Sequence, residues 1–586
     1  MKANSSRLKI LALLLTTFLS ACASKPQVQR PEVVEQNYQP VIEYGRQLLT
    51  DHLPKHGGYA VVLVNDDQLL WAEGFGKSTK KTPLTEHSSL MVGSISKLFT
   101  ATAVMQLAEQ GLLDLDQPIS TYLPEFTIKQ PVDYPAFTVR HMLYHHSGMP
   151  SDMLNGFMRN QDQSDDWQTA YQQLPEKVKD LSLVNPPDYV MSYSNLSYGL
   201  LGLLVERVSG QNFSAYVAQH IFDPLGMNQS SFLPDGRVTE SLAGGFSGSK
   251  ETPYQQIRDL GAGSMVASAN DLGYFLRAIL NQGEGILTPA SQAEMFRQQN
   301  LRSPLDGKLK MGLGYWKNAP GQTDQLNVVG HGGDISPFHG LLLAVPDTGL
   351  GVAVLTNTSR ATSQMQDIAD KILAMAWETK TGQSLQPDTR PPERELSADQ
   401  AKTYEGFYAS SLGLVEVIAK GNRLKAKLGG AKFVMVPREE DLFTFDLKLF
   451  GFIDLDIPEL EQLSFESGTV EGKPLYWINL GNLPFAMAQQ VEPTLIPKSW
   501  RNLEGKYKAV NVEGESLFTE LKVKYDKKTG FLLAGPKQGL LFMGMPIRPI
   551  TDSRAIIMGA GRNLGETIEV LPNGDLFYSG LRFAKK

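Results

Sequence analysis

Val92-Gly93-Ser94-Ile95-Ser96-Lys97-Leu98-Phe99-Thr100 sets a serine at the mouth of an apolar run from Leu98 to Leu113. A run of that character reads as a helix. In a helix Ser94 and Lys97, three residues apart, lie on one face a turn from each other. A hydroxyl and an amine held in that way can act as a nucleophile and its base. The same spacing also suits a structural role, with Ser94 capping the helix and Lys97 solvated. From this stretch alone the structural role is the simpler reading, and two later stretches change it.

The chain has 586 residues, too many for one hydrophobic core, so roughly two to four domains are expected. A hydrophobic content of 42% and a charged content of 20% describe an ordinary globular protein. The formal net charge of −7 is spread along the chain, and no Arg-rich run points to nucleic acid. Cys22 is the only cysteine, which excludes an internal disulfide, a thiolate metal cluster and a CxxC redox pair. HExxH and G-x-S-x-G are both absent, which weakens the zinc-hydrolase and α/β-hydrolase readings.

At the N-terminus Lys2, Arg7 and Lys9 precede a short apolar stretch, Ile10 to Phe18, too short to span a membrane as a helix. Leu19-Ser20-Ala21-Cys22 follows and resembles a bacterial lipobox, which implies cleavage before Cys22 and lipidation of that cysteine. Residues 1–22 are thus expected to be a lipoprotein signal peptide and 23–37 a polar, Pro-containing tether. Ala23, in place of an aspartate after the cysteine, implies by the same resemblance the bacterial outer membrane, facing the periplasm.

Past the tether, Tyr38 to Leu53 reads as a helix, Tyr59 to Val64 as a buried strand, and Leu69 to Ala72 as its return. His141, His145 and His146 lack a further ligand at useful spacing. They read as part of a structural turn with Ser147-Gly148 rather than as a metal site. Tyr193 and Asn195 stand at the junction between a loop and an apolar helical run, Leu196 to Val208, that Ser209-Gly210 ends. Side chains at such junctions project into clefts; Tyr193 as a half-buried aromatic and Asn195 as an N-cap is the structural alternative. Gly261-Ala262-Gly263-Ser264 reads as a flexible loop allowing close approach, before a helix from Leu272 to Leu280. Gly330-His331-Gly332-Gly333-Asp334 precedes a strand, Phe338 to Val345, a turn at Pro346-Asp347-Thr348-Gly349, a returning strand, Gly351 to Thr356, and a long helix from Met365 to Trp377. Glycines beside a strand edge let a ligand approach the backbone.

Residues 386–396 are a Pro-rich linker, after which short alternating strands give an all-β pattern. Tyr404-Glu405-Gly406-Phe407-Tyr408-Ala409 and Leu503-Glu504-Gly505-Lys506-Tyr507-Lys508 form a faint repeat 99 residues apart, each copy leading into a strand pair. Two small barrels or half-barrels are expected, at 397–497 and 498–586, with no titratable constellation and a scaffolding or site-shaping role.

S-x-x-K at Ser94, Y-x-N at Tyr193 and H-x-G at His331 stand in one order, between helix-hairpin and hairpin-helix segments that flank an all-α insert. In this the chain resembles the serine β-lactamase and penicillin-binding-protein-like superfamily, and within it the group related to class C β-lactamases. The resemblance covers Tyr38 to Lys380; the C-terminal repeats look like the lipocalin-like domains of some D-aminopeptidases. It implies an α/β (α+β) catalytic domain over 38–385, with an antiparallel sheet flanked by helices plus an all-α region, then two all-β domains. It implies that Lys97 and Tyr193 activate Ser94 and protonate the leaving group. The backbone N–H groups of Ser94 and Asp334 would form the oxyanion hole, and Asn195 would orient the substrate amide and Lys97. His331, with Gly332 and Gly333, would contact substrate or assist Tyr193. No metal or cofactor is implied.

The chemistry sets a condition. Lysine and tyrosine ordinarily titrate near about 10, so at neutral pH only about one in a thousand of either is a base. Burial must lower Lys97, or the two must share a proton in a coupled titration. One departure from the superfamily pattern narrows the use. Many β-lactamases and penicillin-binding proteins carry a lysine where His331 stands, and a histidine is mostly neutral at pH 7. The expected activity is therefore that of an envelope-anchored hydrolase working through an acyl-enzyme on D-amino-acid peptides, peptidoglycan-related amides or small esters. A true β-lactamase and a penicillin-binding sensor that acylates without turnover are the alternatives.

Overall fold

The computed structural model describes residues 30–31, 36–159, 167–318, 325–385, 391–429, 431–446, 448–449, 453–454, 463–480, 483–514, 516, 518–538 and 541–586. The expected signal peptide, Cys22 and most of the tether lie outside the described residues.

The catalytic domain is built on one antiparallel sheet whose strands come from both ends of the domain. Helix α1 (Gln39–Asp51) leads into the hairpin β1 (Gly58–Asn65) and β2 (Leu69–Gly76). Later come helix α2 (Ser96–Glu109), α3 (Asn195–Ser209) and α4 (Ala269–Leu280). Strands β3 (Lys310–Met311), β4 (Trp316–Lys317), β5 (Val329–Ile335), β6 (Phe338–Val345) and β7 (Leu350–Thr356) follow, then helix α5 (Thr362–Thr381). The sheet order is β2-β1-β7-β6-β5-β4-β3. Tyr59 pairs with Thr356 and Asn65 with Leu350, so β1 is seated against a strand almost 300 residues away in sequence.

The residues explain this arrangement. β1, β6 and β7 are continuous apolar runs buried along their whole length, as strands covered on both faces must be. α5 packs with α1 on one face of the sheet, where Ile372 reaches Gly45 on α1. α4 covers the other: Gly273 sits against Val62 and Leu69, where a Cβ would fall 2.7 Å from the Val62 side chain. α2 is buried all round from Ser96 to Leu107, the pattern of a central helix. Its Phe99 stacks on Phe275 of α4 with ring centroids 4.1 Å apart. Buried Thr100 and Thr102 return their hydroxyls to the carbonyls of Ser96 and Leu98, which removes the cost of burying them.

One local expectation and one structural alternative are overturned. Gly261-Ala262-Gly263 is not a flexible loop but a buried helical turn, Leu260–Gly263. A Cβ on Gly261 would sit 2.6 Å from the Tyr198 carbonyl, so the glycine serves close packing of this turn on α3. Asn195 does not cap α3; Ser194 does, accepting from the Ser197 N–H, and Asn195 is left with its side chain available elsewhere.

The C-terminal region forms two closed eight-stranded barrels. The first runs from Gly406–Ser410 to Leu483–Val491 and closes by pairing those two strands, Tyr408 opposite Gln490. The second runs from Gly505–Ala509 to Leu581–Lys585 and closes through the pairing of Glu520–Tyr525 with Leu532–Gln538. The faint repeat has a structural meaning. Tyr408 and Tyr507 are both fully buried, and each hydroxyl donates to the carbonyl four residues earlier, Tyr404 at 2.9 Å and Leu503 at 2.7 Å. Each pair pins the short helix before a barrel to its first strand.

Both barrels dock on the catalytic domain. Trp477 of the first donates its indole N–H to the Leu305 carbonyl at 2.7 Å. The second is held by Lys129–Glu569, by Ser579 on Leu154 and Asp152, and by Glu566 on Ser151.

Candidate active site

Ser94 lies in a single 3-10 turn, Gly93–Ile95, immediately before α2, with Gly93 at φ +52°. The structural reading of the opening stretch does not hold, because Lys97 is not solvated: it is fully buried. Its Nζ lies 3.0 Å from Ser94 Oγ, 2.8 Å from Asn195 Oδ1 and 2.6 Å from the Ala262 carbonyl. As an ammonium it would donate to all three. As a neutral amine it has two hydrogens and one lone pair, which match the two obligate acceptors and the Ser94 O–H. Burial decides between the forms. Desolvation holds Lys97 well below its ordinary range, and the nearby Arg562 guanidinium pushes it the same way.

Tyr193 is buried just before α3, and its hydroxyl shares a hydrogen bond with Ser94. Burial raises its pKa well above that of a free phenol; the Ser94 bond and Arg562 only partly offset this. Burial therefore favours the protonated phenol and the neutral amine. This separation answers the condition set by the sequence: of the two candidate bases, the environment favours Lys97. Behind Tyr193 packs His145, with ring centroids 4.2 Å apart and a left-handed φ of +63°. Burial lowers the pKa of His145, whose Nδ1 accepts from the Ser194 N–H, so it is a neutral support for the tyrosine. Asn195 is itself oriented, donating from Nδ2 to Asp152 Oδ1 at 2.8 Å.

The third motif arrives on β5. A Cβ on Gly333 would fall 1.8 Å from the Val92 carbonyl and 3.3 Å from the Ser94 nitrogen. A Cβ on Gly93 would fall 2.7 Å from the Asp334 nitrogen. Only two glycines facing each other let the strand come this close, and the approach makes the Ser94 and Asp334 amides neighbours. His331 stands at the near end of the same strand. Its ring centroid is 6.1 Å from that of Tyr193, and its Nδ1 donates to the Gly332 carbonyl at 2.5 Å. Burial, aided by Lys97, lowers its pKa to about 3, so His331 is neutral and presents Nε2 as an acceptor.

The structure thus brings Ser94, Lys97, Tyr193, Asn195, His331, Gly332, Gly333 and Asp334 into one cleft. Among the described residues no group of three or more His, Cys, Asp or Glu is placed to hold a metal. His146 is instead buried against Asp306 at 2.7 Å, and His141 forms a capping box with Thr138.

A sequence profile of the Beta-lactamase family matches residues 47–376, more than half of the chain. The chain belongs to the beta-lactamase family of serine hydrolases. Among curated family members it is 29% identical to Penicillin-binding protein 4 of Amycolatopsis lactamdurans over 375 residues, which cover 60% of this chain and 93% of that one. Protein flp of Staphylococcus aureus is 24% identical over 333 residues, 55% of this chain and 63% of that one. Among solved structures, SurE with D-Leu aligns with a TM-score of 0.53 at 21% identity, over 77% of this chain and 98% of that one. The octameric penicillin-binding protein homologue from Pyrococcus abyssi aligns with a TM-score of 0.50 at 23% identity, over 77% of this chain and 100% of that one. These two likenesses establish the fold.

As a beta-lactamase-family hydrolase, the chain has three site groups that its sequence did not announce. The Ala262 carbonyl is backbone and carries no residue signature. Asp152 reaches Asn195 only through a fold contact. Arg562 comes from the second barrel, its guanidinium 4.9 Å over the Tyr193 ring. Arg562 thus brings a charged group of the second barrel beside the site residues.

Proposed function

We propose that this beta-lactamase-family hydrolase forms an acyl-enzyme on Ser94 and acts on D-amino-acid peptides, peptidoglycan-related amides or small esters. The observation that carries this reading is the buried Lys97, whose amine meets Ser94 Oγ at 3.0 Å with its other two partners being acceptors. In the first step the neutral amine takes the Ser94 proton as Oγ attacks the scissile carbonyl. The developing oxyanion is held by the N–H groups of Ser94 and Asp334. Tyr193, kept as a phenol, gives its proton to the leaving group and is reprotonated from the Lys97 ammonium. Water then attacks the ester, with Lys97 again as base. Asn195 holds Lys97 and offers its amide to the substrate.

Neutral His331 supplies no fixed charge from β5 for a substrate carboxylate, unlike the lysine that many β-lactamases carry there. The similarity to a penicillin-binding protein favours, as the second reading, acylation by β-lactams without turnover. One panel separates the readings: p-nitrophenyl esters, D-aminoacyl amides, nitrocefin and a fluorescent penicillin, run on the wild type and on Ser94→Ala. Ester or D-amide turnover that vanishes in Ser94→Ala is the expected result. Stoichiometric penicillin labelling with no turnover of any substrate would replace the first reading with the second. Turnover surviving in Ser94→Ala would end both.

The lipobox-like Leu19-Ser20-Ala21-Cys22 supports lipid anchoring in the cell envelope, at the outer membrane. Cys22→Ser should release the protein from sedimented membranes; a variant that stays with them would refute the anchor.

A further inference from the structure

The second barrel extends a loop, residues 558–566, from the end of Arg554–Ile557 onto the catalytic domain. The loop is held at two points. The Asn563 N–H donates to Ser151 Oγ at 2.9 Å, and Glu566 Oε1 accepts from the Ser151 N–H at 3.0 Å. Leu564 between them is buried. Arg562 projects from this anchored segment over the Tyr193 ring.

The guanidinium is only loosely paired there, by an ion pair with Asp152 at 3.7 Å that is too long for a hydrogen bond. The other oxygen of Asp152 is occupied by Asn195. Among the described residues Arg562 makes no hydrogen bond, and 40% of its side chain is exposed. Burial disfavours the charged form of Lys97 and lowers the pKa of His331 to about 3, so His331 is neutral at working pH. Arg562, stacked on Tyr193, is therefore a permanent positive charge close enough to act on both Lys97 and Tyr193. A planar fork with unused donors, fixed by a rigid loop and stacked on an aromatic ring, matches a carboxylate.

Resting on the acyl-enzyme reading above, we propose that Arg562 is the specificity residue that binds a carboxylate on the leaving-group half of the substrate. The side follows from the geometry, since Arg562 stacks on Tyr193, the group that protonates the leaving amine. The barrel would thus select substrates whose leaving amine carries a free carboxylate, the charge that His331 does not recognise on β5.

The test is protection of Ser94 in the full chain from labelling by a neutral fluorophosphonate. The competitors are N-acetyl-D-Ala-D-Ala and the same dipeptide as its C-terminal amide. In the wild type the acid should protect at a concentration at least about tenfold below the amide, the size of one charge-assisted pair. Arg562→Ala should bring the two within about twofold, Arg562→Lys should keep part of the difference, and Arg562→Glu should reverse it. Equal protection by acid and amide in the wild type, protection by neither, or an unchanged ratio in Arg562→Ala would each overturn the proposal. Failure of the fluorophosphonate to label wild-type Ser94 would instead defeat the acyl-enzyme reading beneath it.

Discussion

At the scale of single residues, the site works by pushing two groups with nearly equal free pKa values in opposite directions. Burial disfavours charge on both, so it lowers Lys97 and raises Tyr193. The same desolvation that costs stability pulls the amine of Lys97 toward its neutral, proton-accepting form. This has a measurable consequence. Between the lowered folded value and the unfolded value of about 10.4, the unfolded chain binds a proton at Lys97 that the folded chain does not. Stability must therefore rise with pH across that window, by about 1.4 kcal/mol per unit, relative to a variant lacking the group. Lys97→Met should remove this slope, and paired denaturant titrations between pH 7 and 10 would read it. Parallel curves for the two proteins would mean that Lys97 is charged when folded. The same variant should lose about 10²–10⁴-fold in acylation rate, the usual contribution of a general base.

At the scale of elements, the site is a crossing between the turn before α2 and the strand β5. Neighbouring glycines of β5 have different duties. Gly333 faces the Val92 carbonyl, where a Cβ would come within 1.8 Å, whereas a Cβ on Gly332 would meet nothing closer than 3.9 Å. Gly333→Ala should thus push β5 away from Ser94. The expected loss is about 10²-fold or more in kcat, as for a displaced oxyanion donor, with destabilisation of about 1–3 kcal/mol. Gly332→Ala should melt close to the wild type. Thermal melts and kcat for the pair check this, and equal effects at both positions would show that the approach of β5 is not what the glycines secure.

At the scale of the whole molecule, the second barrel is docked so that its Arg562 lies over Tyr193. Its docking is polar and specific: Ser151 is bonded through both its hydroxyl and its N–H to the 558–566 loop, and Asp152 accepts from Ser579 through its carbonyl while its side chain holds Asn195. Gly565 sits at φ +75° with its would-be Cβ 2.6 Å from the Val184 carbonyl. Gly565→Val should lift the loop, lower kcat/KM and raise hydrogen exchange around Ser151, while labelling of Ser94 by the neutral phosphonate persists. If the variant keeps both wild-type turnover and exchange, the barrel does not shape the cleft.

What the sequence determined by itself was the part carried by local chemistry. Ser94 and Lys97 are three residues apart, so helical geometry alone joins them. The glycines of 330–333 and the apolar runs of β6 and β7 announce a strand that something approaches closely. The repeat at Tyr404 and Leu503 announces two related domains, because each copy must pin its own first strand. The tertiary structure decided the rest, since the deciding contacts are either backbone groups or side chains remote in the chain. The Ala262 carbonyl has no sequence signature. Asp152 reaches Asn195 across 43 positions, and Arg562 reaches Tyr193 from another domain. The division of labour between Lys97 and Tyr193 is likewise tertiary, because desolvation depends on what surrounds a group in space and not on what precedes it in the chain.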